Sequence, residues 1–298
     1  MGRFLRRRWI LAGAAAFVAF VVLAVAGNSL AHYQGWSVHR MAPTELAAKL
    51  RPYYRIAKPP GPGRFPTALL YSGCDGPHDN LDRWAAALNA RGWAAIVVDS
   101  HGPRGFSDHE VWRLICAGQM FMGSERAGDV LVSISDARRL PFVDPDRIAL
   151  IGASHGGWAI MDLLALDPPR RLPFNLSALP DDPGGDPLAG VVGTILLYPY
   201  CGTANRAARG GWPRPVPTLF VLSKDDTIAD PEDCLRIAGQ LEMRGVPVET
   251  LLLSGVTHGF DQEERSALST LDFDEAATAK TLGRGLGFLD RLAGKSGS

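Results

Sequence analysis

Arg147-Ile148-Ala149-Leu150-Ile151-Gly152-Ala153-Ser154-His155-Gly156-Gly157-Trp158 runs a short apolar stretch through a glycine-flanked turn and into a new periodicity. Arg147 to Ile151 has the length and composition of a buried strand, and from Trp158 the apolar residues Ile160, Met161 and Leu164 recur at helical spacing. Between them stands Gly-x-Ser-x-Gly. A serine on so sharp a strand-to-helix turn leaves no room for side chains at the flanking positions, which is why glycines stand there. The turn lifts the Ser154 hydroxyl above the sheet and aims the His155 N–H and the positive end of the following helix at a developing oxyanion.

Outward from this turn the same unit repeats. Short apolar runs at Thr67 to Tyr71, Ala94 to Asp99, Thr194 to Tyr198, Thr218 to Leu222 and Val248 to Leu253 read as further buried strands. Leu81, Trp84, Ala85 and Leu88 share one helical face, with Asp79 or Asn80 to cap its start and Gly92 to end it. Ala127, Val130, Leu131, Ile134, Ala137 and Leu140 mark a second helix from about Glu125 until Pro141. Asp230 before Pro231 starts another, with Ile237 and Leu241 inward. This alternation predicts an α/β fold: a mostly parallel sheet with helices on both faces and its site at the carboxyl ends of the strands. The proline-rich stretch 167–190, which includes Pro180-Asp181-Asp182-Pro183-Gly184-Gly185, and the segment 202–217 interrupt it and are expected to form excursions or a small lid.

A serine hydroxyl is a poor nucleophile without a base, so a histidine and an orienting acid are required. His258 follows the strand ending at Leu253, and Asp225 follows the one ending at Leu222, in the chain order this arrangement needs. Asp225 falls first after its strand and is the expected acid. Asp226, the alternative, is expected to hydrogen-bond the turn. His155 reads as a packing or pocket residue, His78, His101 and His109 as loop residues in solvent, and Asp79, Asp82 and Asp108 as caps or surface groups. No histidine pair has zinc-ligand spacing.

The chain carries 31 basic and 31 acidic residues among 298, with 46% hydrophobic and 21% charged. That excludes disorder and gives no electrostatic footprint for nucleic acid, leaving small-molecule chemistry as the expected class. Arg3, Arg6, Arg7 and Arg8 precede an uncharged run from Trp9 to Ala26, which reads as an export signal or membrane anchor with the rest of the chain on the far side. Cleavage after Ala26 or Ala31 competes with retention, and Arg7-Arg8 before Trp9 resembles a twin-arginine signal. The expected organisation is a signal peptide or anchor at 1–31, a linker arm at 32–65 and one domain at 66–298.

An exported protein is expected to pair its cysteines, and four allow three connectivities. Cys201 follows a strand end and Cys234 lies just after the Asp225 turn, so these two could meet, leaving Cys74 with Cys116. Free buried thiols are the alternative.

At Ser154, Asp225 and His258 the chain resembles the dienelactone hydrolase family of the α/β-hydrolase superfamily, over about Pro66 to Leu292. Tyr71-Ser72-Gly73-Cys74-Asp75-Gly76, Val98-Asp99-Ser100-His101-Gly102-Pro103-Arg104-Gly105, the Gly152 to Gly157 turn and Thr257-His258-Gly259-Phe260-Asp261 carry the resemblance. It implies a second oxyanion N–H at Cys74 beside that of His155. It also implies that Arg104 braces the loop entering the pocket, as a structural salt bridge or a substrate-binding group. Serine stands where that family has cysteine or serine, and Ser72 where the first motif usually opens with histidine. The expectation is a serine hydrolase of carboxylic esters or lactones that needs no metal or organic cofactor. A peptidase or acyltransferase of the same fold is one alternative. A catalytically silent binding protein is the other.

Overall fold

The computed structural model describes residues 2–181, 185–265, 269 and 271–294, with the backbone alone for 2–7. The side chains of Arg3, Arg6 and Arg7 and the segment 182–184 therefore lie outside the described residues.

The sheet has seven strands: β1 (Tyr54–Ala57), β2 (Phe65–Tyr71), β3 (Ala94–Val98), β4 (Val143–Ala153), β5 (Val191–Leu197), β6 (Thr218–Ser223) and β7 (Val248–Leu253), in the order β1-β3-β2-β4-β5-β6-β7. All neighbouring pairs are parallel except β1 with β3. The six strands read from apolar runs are β2 to β7. They form where expected because β3, β6 and nearly all of β2 are buried on both faces, as a sheet covered by helices requires.

Helices α1 (Gly2–Gln34), α2 (Pro43–Leu50), α3 (Asp79–Ala90), α5 (Gly123–Arg138), α6 (His155–Leu166), α7 (Pro231–Glu242) and α8 (Glu275–Leu292) accompany the sheet, and a short turn α4 (Asp108–Glu110) continues as a π-turn over Val111–Ile115. Two apolar layers result. On one side Leu46 and Leu50 of α2, Val130 and Ile134 of α5, Ile160 and Leu163 of α6 and Ile237 of α7 pack together. On the other lie Leu81, Trp84 and Leu88 of α3 with Phe288 and Leu289 of α8.

The segment 32–65 is more than the linker expected of it. Within it α2 buries Leu46, Ala47 and Leu50, and β1 adds the antiparallel edge strand. Pro43 at the first turn of α2 is compatible with a helix start, because the missing N–H would have no intrahelical partner there. The excursion at 167–190 carries no long regular element among its described residues, as its prolines predict, yet it is fastened to the body. Met41 N–H donates to Asn175 O and Ser177 N–H donates to Met41 O, both at 2.9 Å, and Leu176 and Leu188 are buried.

Candidate active site

Ser154 sits between β4 and α6 with φ 48° and ψ −111°, a conformation that a non-glycine residue adopts only under constraint. The glycines beside it are required by close approach. A Cβ on Gly152 would lie 2.5 Å from the Gly157 nitrogen, and one on Gly156 would lie 2.5 Å from the Tyr71 carbonyl oxygen. The Ser154 N–H donates to Leu197 O at 2.8 Å, tying the turn to the end of β5.

From this turn a hydrogen-bonded series runs to the ends of β6 and β7. Ser154 Oγ lies 2.8 Å from His258 Nε2, and His258 Nδ1 lies 2.7 Å from Asp226 Oδ2. The histidine and the acid are almost fully shielded from solvent. Asp226, not Asp225, therefore meets the histidine. The sheet ladder continues one residue past β6, with Lys224 N–H donating to Leu253 O, so the chain turns only at Asp225. Asp225 is left exposed with its carboxylate accepting the Gly255 N–H at 2.8 Å. Asp226 points back over the sheet. Its other oxygen accepts the N–H groups of Ile228 and Ala229, both at 2.8 Å, so one residue both meets the imidazole and holds the turn.

On the opposite side of Ser154 stands the Ser72-Gly73-Cys74 loop after β2, with a Cβ on Gly73 only 3.8 Å from Ser154 Cβ. A buried arginine absent from the expected site braces this loop. Arg126 donates to Ser72 O at 2.9 Å, to Gly73 O at 3.3 Å and to Ser72 Oγ at 3.0 Å, and reaches Ser100 Oγ and His155 Nδ1. Ser72 is thus an acceptor for a guanidinium. Burial lowers the Arg126 pKa to about 10, which leaves it charged at neutral pH. Burial, helped by Arg126, holds His155 well below the usual histidine range, so Nδ1 accepts. Phe121 stacks on its ring at 5.9 Å.

His101, expected in solvent, is buried instead. Its Nε2 donates to Cys74 O at 2.9 Å, and burial followed by the charge of Arg126 lowers its pKa to about 3. Arg104 makes two hydrogen bonds to the buried Asp129, at 2.8 and 2.9 Å, and one to Ser100 O. It is not among the residues that line the cavity over Ser154. The structure therefore places Arg104 in a salt bridge with Asp129 rather than on the wall of this cavity.

Cys74 is joined to Cys116, and Cys201 to Cys234, each pair with 5.1 Å between Cα atoms. The first bridge fastens the loop before Ser154 to the segment after the π-turn. The second fastens the chain beyond β5 to α7.

The cavity over Ser154 has a volume of about 440 Å³. Ser154, His155, His258 and Cys74 line it together with Trp112, Ile115, Met122, Trp158, Tyr200, Ile228 and Leu271, a largely apolar wall that also carries Asp75, Gln119, Gln262 and Thr203. Thr203 and Ala204 bring the 202–217 segment to this wall, whereas no residue of 167–190 lines it among the described residues. Among the described residues no group of three or more His, Cys, Asp or Glu side chains is placed to hold a metal ion.

No family profile matches the chain. The acylamino-acid-releasing enzyme of Arabidopsis thaliana is 23% identical over 231 residues, which is 69% of this chain and 29% of that protein. The chain spans less than a third of the length of the curated relatives it matches. Among solved structures, a Klebsiella pneumoniae protein assigned as a dienelactone hydrolase superposes with a TM-score of 0.60 at 14% identity, covering 80% of this chain and 92% of that one. Esterase 2 of Thermogutta terrifontis gives a TM-score of 0.58 at 18% identity, covering 80% and 89%. The fold is the α/β-hydrolase fold, in a form like that of the dienelactone hydrolases.

Proposed function

We propose that the protein is a serine hydrolase that cleaves carboxylic esters or lactones through an acyl-enzyme. The observation that carries this reading is the series Ser154, His258 and Asp226, hydrogen-bonded in order, with Ser154 and His258 lining a largely apolar cavity. Ser154 Oγ attacks the acyl carbon while its proton passes to His258 Nε2, and Asp226 stabilises the imidazolium that forms. The N–H groups of Cys74 and His155 receive the oxyanion. Collapse breaks the bond to the leaving alkoxide, which takes the proton from Nε2. Water then attacks the acyl-enzyme by the same route and returns Ser154 to its starting state.

The apolar wall suits the acyl portion of an ester, and the esterase and dienelactone hydrolase-like neighbours support the same chemistry. Esterase 2 of Thermogutta terrifontis is phosphorylated by paraoxon, which makes an organophosphorus probe a suitable test here. The full chain in detergent is expected to take a fluorophosphonate label on Ser154, with no label in Ser154→Ala and a much slower one in His258→Ala. A folded chain that takes no label overturns the reading in favour of a silent binder.

The acylamino-acid-releasing relatives support a second reading in which the same residues cleave an amide. Turnover of an acyl-peptide anilide exceeding that of an ester of the same acyl group would favour it.

A further inference from the structure

The apolar helix does not end in a linker. It runs unbroken to Gln34, and the residues just beyond its apolar part are built into the body of the protein. Asn28 donates to the Gln119 carbonyl at 2.5 Å, and Gln119 Nε2 donates to Ser29 Oγ at 2.6 Å. Four residues on, the Arg206 guanidinium covers the Tyr33 ring at 4.1 Å and donates to the Tyr33 carbonyl. From Arg8 to Gly27 the helix is exposed throughout, with no described residue covering it. The stretch from Arg8 has an 18-residue window of mean hydropathy 2.6 with no part buried.

This junction sits at the cavity. Ser29 lines the same cavity as Ser154, and Gln119, the residue that grips Ser29, lines it too. The run Trp9 to Ala26 is about 27 Å long as a helix, close to the roughly 30 Å hydrocarbon core of a bilayer. Ser29 is three residues further on, about 4.5 Å along the axis. The headgroup layer on each side is about 5–8 Å thick, so a spanning α1 places Ser29, and with it this edge of the cavity, within that layer. One apolar side chain suits such a setting: Ile228 lines the cavity and is 55% exposed.

We propose that the chain retains α1 as an anchor that seats the cavity edge in the headgroup layer, and that it draws its substrate, an acylated amphiphile, from the bilayer. This rests on the hydrolase reading above and names the substrate class of that site. An acyl chain leaves the lipid phase for the apolar wall without crossing water, and the ester carbonyl reaches Ser154. The contacts at Asn28, Ser29 and Tyr33 then tie the retained anchor directly to the wall of the cavity.

The test uses the full chain in phosphatidylethanolamine–phosphatidylglycerol vesicles, with 4-methylumbelliferyl oleate as the bilayer-borne ester and p-nitrophenyl butyrate as the soluble one. The comparison protein carries about 20 inserted Gly and Ser residues between Gly27 and Asn28, which add roughly 25 Å of slack while keeping anchor and domain contacts. The insertion is expected to lower oleate turnover by about tenfold or more while butyrate turnover stays within about twofold. Equal oleate turnover in both proteins overturns the proposal. A measurement on the natural chain alone guards against misfolding of the insertion: diluting the oleate ester with inert phospholipid at constant bulk concentration is expected to lower the rate in proportion to its surface fraction. A rate indifferent to surface dilution overturns the proposal, as does recovery of the protein from cells with a mass lacking residues 1–26 or 1–31. If Ser154 labels with fluorophosphonate and butyrate is hydrolysed, such a failure belongs to the membrane proposal alone. If neither occurs, the hydrolase reading falls with it.

Discussion

Arg126 Nη1 holds the carbonyl oxygen of Gly73 at 3.3 Å, and so fixes the peptide whose N–H belongs to Cys74. That peptide is trans, so its N–H points away from its carbonyl and therefore away from Arg126, and Cys74 lines the cavity with Ser154. The same guanidinium touches the His155 ring at 3.1 Å. One buried cation thus sets the positions of both residues proposed to receive the oxyanion, without lining the cavity itself.

Arg126→Lys keeps the charge but cannot span Ser72, Gly73, Ser100 and His155 together, so it tests positioning apart from charge. The expected outcome is a fall in kcat of about 10²-fold with KM within about threefold, because the loss is felt when the oxyanion forms. Steady-state kinetics on a soluble ester, with circular dichroism to confirm folding, measure it. A purely structural role would instead lower the folded fraction and leave the kcat of the folded molecules unchanged.

The two adjacent acids separate just as cleanly. Asp226→Asn leaves His258 without its carboxylate and is expected to lower kcat by about 10³-fold or more. Asp225→Asn removes only the exposed acceptor for the Gly255 N–H and is expected to keep kcat within about threefold. Equal losses in both variants would count against Asp226 as the acid of the relay.

That exchange shows what a single sequence reveals and where it stops. Strands β2 to β7, the glycine turn at Ser154 and the loop carrying His258 were legible, because each rests on local pattern or on chain order, whereas the cysteine pairing stayed one of several open options, because it depends on distances that sequence does not carry. Which of two neighbouring aspartates faces the histidine depends on the ladder reaching Lys224, a matter of register between strands far apart in sequence. Strand β1 was hidden for a related reason: as a half-exposed edge of four residues it carries no apolar run. Arg126 left a trace that could have been read. It shares the helical face of Val130, Ser133 and Ala137, and a charge on an otherwise inward face signals a buried network. The contact of α1 with the cavity left none, since nothing local ties Ser29 to Gln119.

Asp162, on the helix after Ser154, is fully enclosed, accepting from Ser124 Oγ at 2.7 Å and from the Arg206 N–H at 2.6 Å. Burial outweighs these bonds and raises its pKa to about 7. A carboxyl raised on folding favours the native state while protonated, and this contribution is lost as pH rises through about 7. Asp162→Asn, which cannot ionise, is therefore expected to melt above the wild type at pH 8 by about 3 °C or more, with the gap closing toward pH 5. Thermal melts at the two pH values decide it. A gap that widens toward pH 5 would contradict the argument.

The bridge from Cys74 to Cys116 makes a different prediction from that of the residues it holds. Cys74 is proposed to act through its backbone N–H, which survives replacement of the side chain, while the bridge ties that loop to the cavity wall around Ile115 and Trp112. Replacing both cysteines with alanine opens a loop spanning a sequence separation of 42, which is expected to lower Tm by about 5–10 °C. Below that lower Tm the chain should still label at Ser154 with fluorophosphonate. The freed wall is expected to raise KM for long acyl esters by about tenfold and to change kcat little, since binding rather than the reacting centre is disturbed. The same double replacement at Cys201 and Cys234 loosens α7 instead, next to the turn that carries Asp226, and there the loss should fall on kcat. Kinetics of the two double variants on one long and one short ester separate the cases: matching profiles would mean that neither bridge positions the group beside it.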